Sequence, residues 1–281
     1  MGNRPQELRA LLDSVAKQDG DAVEVVVVGN GAPVPDVPEG VRTVELPENL
    51  GIPGGRNVGI EAFGPGGTDV DILLFLDDDG LLANMDTAQL CREAFEADPK
   101  LGIISFRIAD PDTGETQRRH VPRLRAADPM RSSRVTTFLG GANAVRTKVI
   151  AEVGGLPDEF FYAHEETDLA WRALNAGWMI DYRADMVLFH PTTAPSRHAV
   201  YHRMVARNRV WLARRNLPLL LVPVYLGVWM LLTLARRPSG PALKAWFGGF
   251  KEGWTTPCGP RKPMKWRTVW RLTRLGRPPV I

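Results

Sequence analysis

The sequence predicts an α/β fold with a mostly parallel sheet, followed by a basic helical region. Apolar runs such as residues 23–28 and Ile72–Leu76 are too short for helices and are typical of strands buried on both faces of a sheet. Segments with helical spacing alternate with these runs, as in α/β folds. Charge also divides the chain: residues 186–281 contain 17 Lys or Arg and one acidic residue, giving +16, against −13 for residues 1–185.

The first elements are a predicted helix and two predicted strands. Residues 5–17 carry leucines and a valine at helical spacing, whereas residues 23–28 and 41–46 are rich in β-branched residues. A glycine-rich turn that starts at Asn49 then opens the next helix. Unpaired backbone N–H groups at such a corner can bind a diphosphate. The alternative is an ordinary helix start, with Arg56 as a surface residue.

The strand Ile72–Leu76 runs directly into three aspartates, Asp77, Asp78 and Asp79. Open α/β sheets bind ligands at the carboxyl ends of their strands, so these carboxylates lie where a ligand is expected. Adjacent carboxylates repel one another, and oxygen ligands suit a hard divalent ion such as Mg²⁺ or Mn²⁺ that also holds a phosphate. The alternative is a turn followed by a helix N-cap, because aspartate is favoured in both.

The middle of the chain continues the alternation and contains one long irregular segment. Helical patterns cover residues 85–97 and Thr147–Val153, and residues 101–107 predict a strand between them. Residues 108–135 are polar and contain prolines, which predicts a loop. A loop of this length in a compact domain is usually functional or mobile.

A second acidic group lies at the start of a predicted helix that ends at Ala176. Glu165 and Glu166 follow an aromatic run, so we expect them at a partly dehydrated rim where the pKa of a carboxyl group rises enough to make it a useful base. The alternative is that these acids only complement the helix dipole. His190 follows a last predicted strand at residues 186–189, and a lone histidine is usually a packed or surface residue unless it meets the aspartates.

The C-terminal region contains an apolar run, residues 217–235, flanked by arginine pairs and preceded by an Arg-rich helix from about Ser196. The run is marginal in length for a membrane span, so a tilted span, a re-entrant hairpin, an interfacial helix and a buried core helix are all open. Tyr225 and Trp229 are candidate interface anchors. The Arg-rich helix and the apolar run favour an anionic membrane surface as partner, and nucleic acid is not expected.

Cysteine usage and the N-terminal sequence indicate a cytoplasmic location. Cys91 and Cys258 are far apart and show neither metal-ligand nor disulfide-framework spacing. No charged segment followed by an apolar one, as in secretory signals, is visible. We therefore expect the protein at the cytoplasmic face of the cell membrane, with peripheral, re-entrant or single-span attachment.

The ordered motifs resemble those of the family-2 glycosyltransferases, which are inverting enzymes that use nucleotide sugars. The motifs are EVVVVGNGA, ELPENLGIPGGRNVGIEAFG, ILLFLDDDG, FLGGANAVRTKVIAEVGGLPDEFFYAHEETDLAWRALNAGW and VLFHP, and they cover residues 5 to about 191. The resemblance implies a single Rossmann-like GT-A domain, residues 1–191. Residues 192–281 then form the basic, membrane-associating helical tail.

The resemblance also implies roles for individual side chains. It places Glu166 at the position of the catalytic base, with Glu165 beside it. By the same resemblance, Asp77, Asp79 and His190 bind the metal ion, Mn²⁺ or Mg²⁺. The residues that it implies for nucleotide-sugar binding are Asn30, Asn49, Arg56, Asp77 and Asp78. The residues that it implies for acceptor binding are Gly140, Gly141 and Trp171. The two glycines are small enough to let a sugar approach the backbone closely.

Three features depart from the family pattern. Glu166 stands where the family has an aspartate base, which adds one methylene. Gly29 stands where the family has an aspartate that reads the nucleobase, so the donor base is not predicted. The family's first central strand is not visible before Pro5, and its absence would expose two strand edges. We expect that this reflects a shortened gene model.

The resulting prediction is a metal-dependent, hexosyltransferase-type glycosyltransferase. Its donor is a nucleotide-diphosphate sugar, and its acceptor is a glycan or lipid-linked molecule of bacterial cell-envelope polysaccharide or glycolipid synthesis. One alternative is a nucleotidyltransferase of the same fold, which normally has a glycine-rich loop with Arg or Lys after its first strand. Another is a catalytically impaired relative that binds membranes through its tail, although the intact set of acidic residues argues against it.

Overall fold

The computed structural model describes residues 4–124, 128–191 and 199–281. The strands along the described chain are β1 (Val26–Asn30), β2 (Arg42–Leu46), β3 (Ile72–Leu76), β4 (Leu81–Leu82), β5 (Leu101–Ala109), β6 (Ser133–Arg134), β7 (Ala142–Arg146) and β8 (Met179–Phe189). The helices are α1 (Pro5–Ala16), α2 (Gly51–Glu61), α3 (Thr87–Ala97), α4 (Thr147–Val153), α5 (Glu165–Ala176), α6 (Ala199–Asn216), α7 (Leu221–Ala235), α8 (Gly240–Thr255) and α9 (Trp266–Arg274). Residues 1–3 and the predicted helix start at Ser196 lie outside the described ranges.

The strands form two sheets. β1 and β2 pair in parallel, and the second sheet has the order β3-β7-β5-β8-β4, with β6 added to β8. β3, β5 and β8 run in one direction, because β7 is antiparallel to both β3 and β5 and β8 is parallel to β5. β7 and the short strands β4 and β6 run the other way. The predicted α/β class is therefore confirmed, with a sheet that is mixed.

A cavity of about 1170 Å³ separates β1 from β3. Each of these strands pairs on one side only, β1 with β2 and β3 with β7. Both strands line the cavity together with apolar side chains of α1, and no strand lies between them among the described residues. The two unpaired edges that the sequence predicted are therefore present. The cavity reaches the carboxyl end of β3, where Asp77, Asp79 and His190 line it.

The C-terminal helices pack onto the sheet domain. One hydrophobic cluster contains Leu169 and Leu174 of α5 as well as Trp211 and Leu212 of α6 and Leu272 of α9. All of these side chains are at most 5% exposed. Residues on both sides of position 191 thus share one core, and the division of the chain at that position stays a prediction.

Basic side chains of α6 bind within the protein, and the docking of this helix on a membrane stays a prediction. Arg207 donates to the carbonyl oxygen of Phe160 over 3.0 Å. Arg215 forms an ion pair of 2.9 Å with Asp168, which is fully buried. The sequence pattern could not reveal this, because the partners lie more than forty residues away in the chain.

The apolar run forms α7, which packs one side against the core. Tyr225 is 2% exposed, and Trp229 lies under the guanidinium group of Arg209 at 3.5 Å. Both were predicted to be interface anchors, and that prediction is wrong because they face inward. In the described parts of the chain, no helix combines the length and the apolar character needed to cross a membrane.

The other side of α7 is apolar and exposed. Its large exposed side chains, including those of the turn before the helix, are Leu219, Leu220, Val224, Leu231 and Leu234. Residues four, eleven and fourteen positions after Leu220 lie on the same helix face as Leu220. The structure therefore leaves an apolar stripe at the surface, which we call the α7 stripe: Leu220, Val224, Leu231 and Leu234.

Candidate active site

Asp77, Asp78 and Asp79 follow β3 at the end of the large cavity. Asp79 is the least exposed of the three, at 9% of its side chain. It pairs with Arg4 and lies 3.1 Å from Nε2 of His190. The hydrogen bond from His190 lowers the pKa of Asp79 and raises the pKa of His190. His190 therefore contacts one of the aspartates, Asp79. This contact distinguishes His190 from a packed or surface histidine, as the sequence prediction required.

Arg56 of α2 joins the two acidic groups. Its Nη2 atom lies 3.1 Å from Oδ1 of Asp77, and its Nη1 atom lies 3.6 Å from Oε1 of Glu166. The Arg56 side chain is only 16% exposed, so its interpretation as a surface residue is wrong. One guanidinium group thus brings the carboxylate at the end of β3 and the carboxylate at the start of α5 into one site.

Gly140 and Gly141 make room for these carboxylates. A side chain at Gly141 would overlap the carboxyl group of Asp77, and one at Gly140 would overlap Oε1 of Glu166. Asn143 of β7 holds the turn, because its Nδ2 donates to the carbonyl oxygen of Gly140 over 2.7 Å. The glycines were predicted to let an acceptor sugar approach. In the structure, the space beside them is filled by the carboxyl groups of Asp77 and Glu166, and the acceptor role of the glycines stays a prediction.

Glu165 and Glu166 are neighbours in sequence but face different surroundings. Glu165 is 1% exposed, and its Oε2 atom has no hydrogen-bond partner among the residues that the structure describes. Glu166 is partly exposed and faces Arg56. Burial raises the pKa of both carboxyl groups, and the charge of Arg56 opposes that rise more strongly at Glu166 than at Glu165. The structure therefore turns Glu166 toward the site and Glu165 into the protein.

The segment before α5 is held in an unusual backbone conformation. Phe161, Ala163 and His164 have φ angles of 59°, 70° and 73°, which residues other than glycine rarely adopt. The start of α2 supports this segment, since the N–H of Ile52 donates to the carbonyl oxygen of Phe161 over 2.8 Å. A side chain at Gly51 would overlap the same carbonyl group. The start of α2 and the segment before α5 are therefore in direct contact.

Asn208 of α6 fixes the same segment from the other side. Its Nδ2 atom lies 2.8, 2.7 and 2.9 Å from the carbonyl oxygens of Phe160, Tyr162 and Ala163. The side chain is fully buried. Sequence analysis missed this residue, and a single asparagine within an Arg-rich helix gives no signal of such a role. We call residues 160–164 with this support the Asn208 clamp.

The glycine turn before α2 does not offer the free N–H groups that were predicted. Asn30 accepts a hydrogen bond from the N–H of Leu50, and Asn49 accepts one from the N–H of Gly51, each over 2.8 Å. The N–H of Ile52 donates to the carbonyl oxygen of Phe161, so three N–H groups at this corner already have partners, and its binding of a diphosphate stays a prediction. Asn30 and Asn49 line the large cavity, and their binding of a nucleotide sugar stays a prediction.

Two further predicted positions have packing roles in the structure. Trp171 is 5% exposed and makes an edge contact with Tyr225 at 6.1 Å between ring centroids, away from the large cavity. A side chain at Gly29 would overlap the carbonyl oxygen of Ala32, so this turn requires a glycine in place of the family's aspartate. The acceptor role of Trp171 stays a prediction.

The donor atoms of Asp79 and His190 suit a divalent ion. Carboxylate oxygen and neutral imidazole nitrogen are ligands that Mn²⁺ accepts, and their separation of 3.1 Å is about that of two ligands on one ion. Asp77 is turned toward Arg56. No group of three or more His, Cys, Asp or Glu is arranged for a metal in the part of the chain that the structure describes. The residues therefore fit an ion held by two side chains and completed by phosphate and water.

His120 is a neighbour of this site that sequence analysis missed. It lies in the segment between β5 and β6, and its ring centroid is 6.5 Å from that of His190. Burial lowers the pKa of His120 to about 4, so its imidazole is neutral at pH 7. The long segment predicted at residues 108–135 therefore brings a polar side chain to the acidic site.

The sequence model of Glycosyl transferase family 2 matches residues 2–154, which is just over half of the chain. The chain belongs to glycosyltransferase family 2. The match contains Arg56 and the three aspartates after β3, and it ends before Glu166 and His190. The family assignment thus rests on the donor side of the site, whereas the second acidic group comes from the part beyond the match.

Two curated family relatives are the pre-mycofactocin glycosyltransferases of Mycobacterium tuberculosis strains CDC 1551 / Oshkosh and ATCC 25618 / H37Rv. Each is 24% identical to this chain over 257 residues, covering 83% of this chain and 51% of the relative. The chain therefore spans about half the length of these relatives.

Solved structures of similar fold include glycosyltransferases with bound nucleotide sugars. S. aureus TarS 1-349 in complex with UDP-GlcNAc has a TM-score of 0.58 and 15% identity, covering 86% of this chain and 75% of that chain. Mannosyltransferase PcManGT from Pyrobaculum calidifontis in complex with GDP-Man and Mn²⁺ has a TM-score of 0.53 and 17% identity, covering 98% and 82%. At such identities the likeness shows the fold alone.

Proposed function

We propose that this family 2 glycosyltransferase moves a sugar from a nucleotide-diphosphate sugar to an acceptor hydroxyl with inversion at the anomeric carbon. The observation that carries the proposal is the bridge that Arg56 makes between Asp77 and Glu166. The guanidinium group of Arg56 contacts both the carboxylate of Asp77, at the end of β3, and that of Glu166. Burial raises the pKa of Glu166. Sugar transfer needs one group that orients the leaving diphosphate and another that accepts a proton.

In this reaction Glu166 acts as the base. Its carboxylate takes the proton of the acceptor hydroxyl as the acceptor oxygen bonds to the anomeric carbon. The bond from that carbon to the diphosphate oxygen breaks, and the leaving diphosphate keeps the electron pair. Asp77 orients Arg56, and we assign to the positive charge of Arg56 the stabilisation of negative charge on the leaving group.

A divalent ion in this site would be held by Asp79 and His190, with Mn²⁺ as the first candidate because PcManGT is described with Mn²⁺. When bound, the ion would neutralise charge on the diphosphate. Electron paramagnetic resonance of Mn²⁺ titrated into the protein tests this independently of activity. We expect His190→Ala to abolish the bound-Mn²⁺ signal, whereas Arg56→Gln retains it; a signal that His190→Ala leaves unchanged contradicts the assignment.

The donor nucleotide is tested by a panel of UDP-, dTDP- and GDP-sugars, since the structural neighbours hold UDP-GlcNAc and GDP-Man. Release of the nucleoside diphosphate is followed with a mixture of glycan and lipid-linked acceptors, and NMR of the product assigns the anomer. The control is a double variant, Asp77→Asn with Glu166→Gln. We expect acceptor-dependent release from one donor class and none from the control. Equal release by the wild type and the control, or retention of configuration, contradicts the proposal.

We further propose that the protein works at the cytoplasmic face of a membrane, on acceptors of cell-envelope polysaccharide or glycolipid synthesis. The α7 stripe supports peripheral docking, because Leu220 and Leu231 are 75% and 66% exposed. Basic side chains, Arg236 and Arg237, follow at the end of α7 and are exposed. An apolar stripe beside exposed arginines is the chemistry that an anionic lipid surface recognises.

Vesicle co-sedimentation tests this docking. We expect binding to phosphatidylcholine vesicles that contain phosphatidylglycerol, weaker binding at high salt, and at least about tenfold weaker binding after Leu220→Ser with Leu231→Ser. The control variant is Met85→Ser with Met130→Ser, since both methionines are exposed elsewhere. Equal binding by the two double variants contradicts docking through α7.

A further inference from the structure

A second, smaller cavity lies behind the catalytic segment. Its volume is about 80 Å³, and it is separate from the cavity that contains Asp77. Its polar lining comes from the segment before β7, the start of α5, α6, α7 and the C-terminal segment: Thr136, Thr137, His164, Thr167, Arg209, Tyr225, Trp229 and Arg277. Because His164 directly precedes Glu165, this cavity adjoins the catalytic helix on the side away from the donor site.

Two guanidinium groups line this cavity without a carboxylate partner. Arg209 donates to the hydroxyl oxygen of Tyr225 over 3.2 Å and stacks on Trp229. The groups that act on Arg209 and Arg277 are tyrosine and other arginines, and no acidic side chain of the described residues is among them. Burial lowers the pKa of both arginines, and the charge of Arg209 lowers the pKa of Arg277 further. Buried charges are normally paired, because an unpaired one is costly.

Unpaired hydrogen-bonding groups lie at the same cavity. The Nε2 atom of His164 and the Nε1 atom of Trp229 are both buried and have no hydrogen-bond partner. The backbone of His164, with a φ of 73°, belongs to the strained segment described above. An indole N–H can only donate, and a neutral imidazole donates from Nε2 in one of its tautomers. The cavity therefore combines two cations with N–H donors, and the described residues place no anionic acceptor beside them.

We propose that this cavity binds a phosphate or a phosphate-sized oxyanion, held by Arg209, Arg277 and His164. Guanidinium groups form strong charge-assisted hydrogen bonds with phosphate oxygens, and a tetrahedral anion presents several acceptors to donors that surround it. A volume of about 80 Å³ admits an ion of this size but no sugar or nucleotide. The same chemistry comes from free phosphate or from the phosphate ester of a larger molecule.

Isothermal titration with inorganic phosphate tests the site directly and needs no knowledge of the sugar substrates. We expect saturable binding of one phosphate per chain with a Kd of about 1 mM or tighter. Arg277→Gln should weaken it at least about tenfold, because it removes one of the two charges. Arg274→Gln is the matched control, since this exposed arginine lies three residues before Arg277 and does not line the cavity. Arg56→Gln should also leave phosphate binding unchanged, which separates this cavity from the donor site.

A second variant covers the case in which Arg277→Gln fails to fold. Trp229→Phe removes the unpaired N–H and keeps an aromatic ring under Arg209, so it should weaken phosphate binding while near-ultraviolet circular dichroism shows a folded core. Octyl phosphate distinguishes the sources: tighter binding than inorganic phosphate indicates an ester, and weaker binding indicates the free ion. Absence of saturable binding by the wild type, or equal loss in Arg274→Gln and Arg277→Gln, overturns the proposal.

Discussion

The carboxylates after β3 and those at the start of α5 have the same chemistry and opposite surroundings. Asp77 and Asp79 lie at an open cavity, and each already contacts a cationic or imidazole side chain. Glu165 is buried without a charged partner of its own, and only Glu166 reaches Arg56. The hydrogen bond from His190 lowers the pKa of Asp79, which suits the first group to binding cations, whereas burial raises the pKa of Glu165 and Glu166, which suits the second group to moving a proton.

This contrast teaches that neighbouring acids in a sequence need not share a role. Glu166 faces Arg56, whereas Glu165, one position earlier in α5, faces the core. The partition follows from the strained Asn208 clamp, which sets the direction in which α5 starts. The predictions below test first the difference within the pair, then the geometry that maintains it.

The largest expected effect is the difference between Glu166→Gln and Glu165→Gln. If Glu166 is the base, its replacement lowers kcat by about 10²–10⁴-fold, because general base catalysis contributes that much. Glu165→Gln replaces a buried, largely protonated carboxyl group by a neutral group of the same shape, so we expect less than about a tenfold change. Both are measured as acceptor-dependent release of nucleoside diphosphate. The reverse order of effects would assign the base to Glu165.

The next largest effect concerns the glycines that make room for the carboxylates. Gly141→Ala displaces the carboxyl group of Asp77, and a displacement of about 1 Å at a reacting geometry can cost about 10²-fold in rate. Gly140→Ala displaces Glu166 and should lower kcat with less effect on donor binding. Gly248→Ala is the control, since nothing lies near that glycine in α8. Full activity of Gly141→Ala would show that Asp77 does not need its observed position.

A smaller effect is expected from Asn208→Asp. A carboxylate cannot donate to the three carbonyl oxygens of residues 160–164, so the Asn208 clamp loosens and kcat should fall about tenfold with an unchanged KM for the donor. Asn216→Ala is the control, because it removes a buried hydrogen bond to Asp168 elsewhere on α6. If both variants lower Tm equally and both retain kcat below that temperature, Asn208 has no positioning role.

The sequence predicted those parts of the site that depend on local pattern. An apolar strand that ends in Asp77–Asp79 and an acidic start to α5 are visible in a few consecutive residues, and both lie where they were expected. The Asn208 clamp depends on α6 packing against a segment more than forty residues earlier, and no local pattern records such a contact. The arginines of α6 illustrate the same limit, because their composition suggested a surface and their contacts place Arg215 in the core.

The smallest effect is a change of stability with pH, and it isolates the buried member of the pair. Because burial raises the pKa of Glu165, its neutral form favours the folded state. That contribution is complete below the ordinary pKa of a glutamate and is lost as pH rises through the raised pKa. Glu165→Gln does not titrate, so its Tm should exceed that of the wild type by an amount that grows between about pH 5 and pH 9.

Scanning calorimetry of the wild type and Glu165→Gln across this range measures the difference. Each kcal/mol of relative stabilisation corresponds to a gain of about 2–4 °C for a chain of this size. Glu7→Gln on the exposed face of α1 is the control for removing one carboxylate from the surface. A Tm difference that stays constant with pH would mean that Glu165 is as well solvated as a surface acid. The two glutamates would then differ only in their contact with Arg56, and the assignment of Glu166 as base would depend on that ion pair alone.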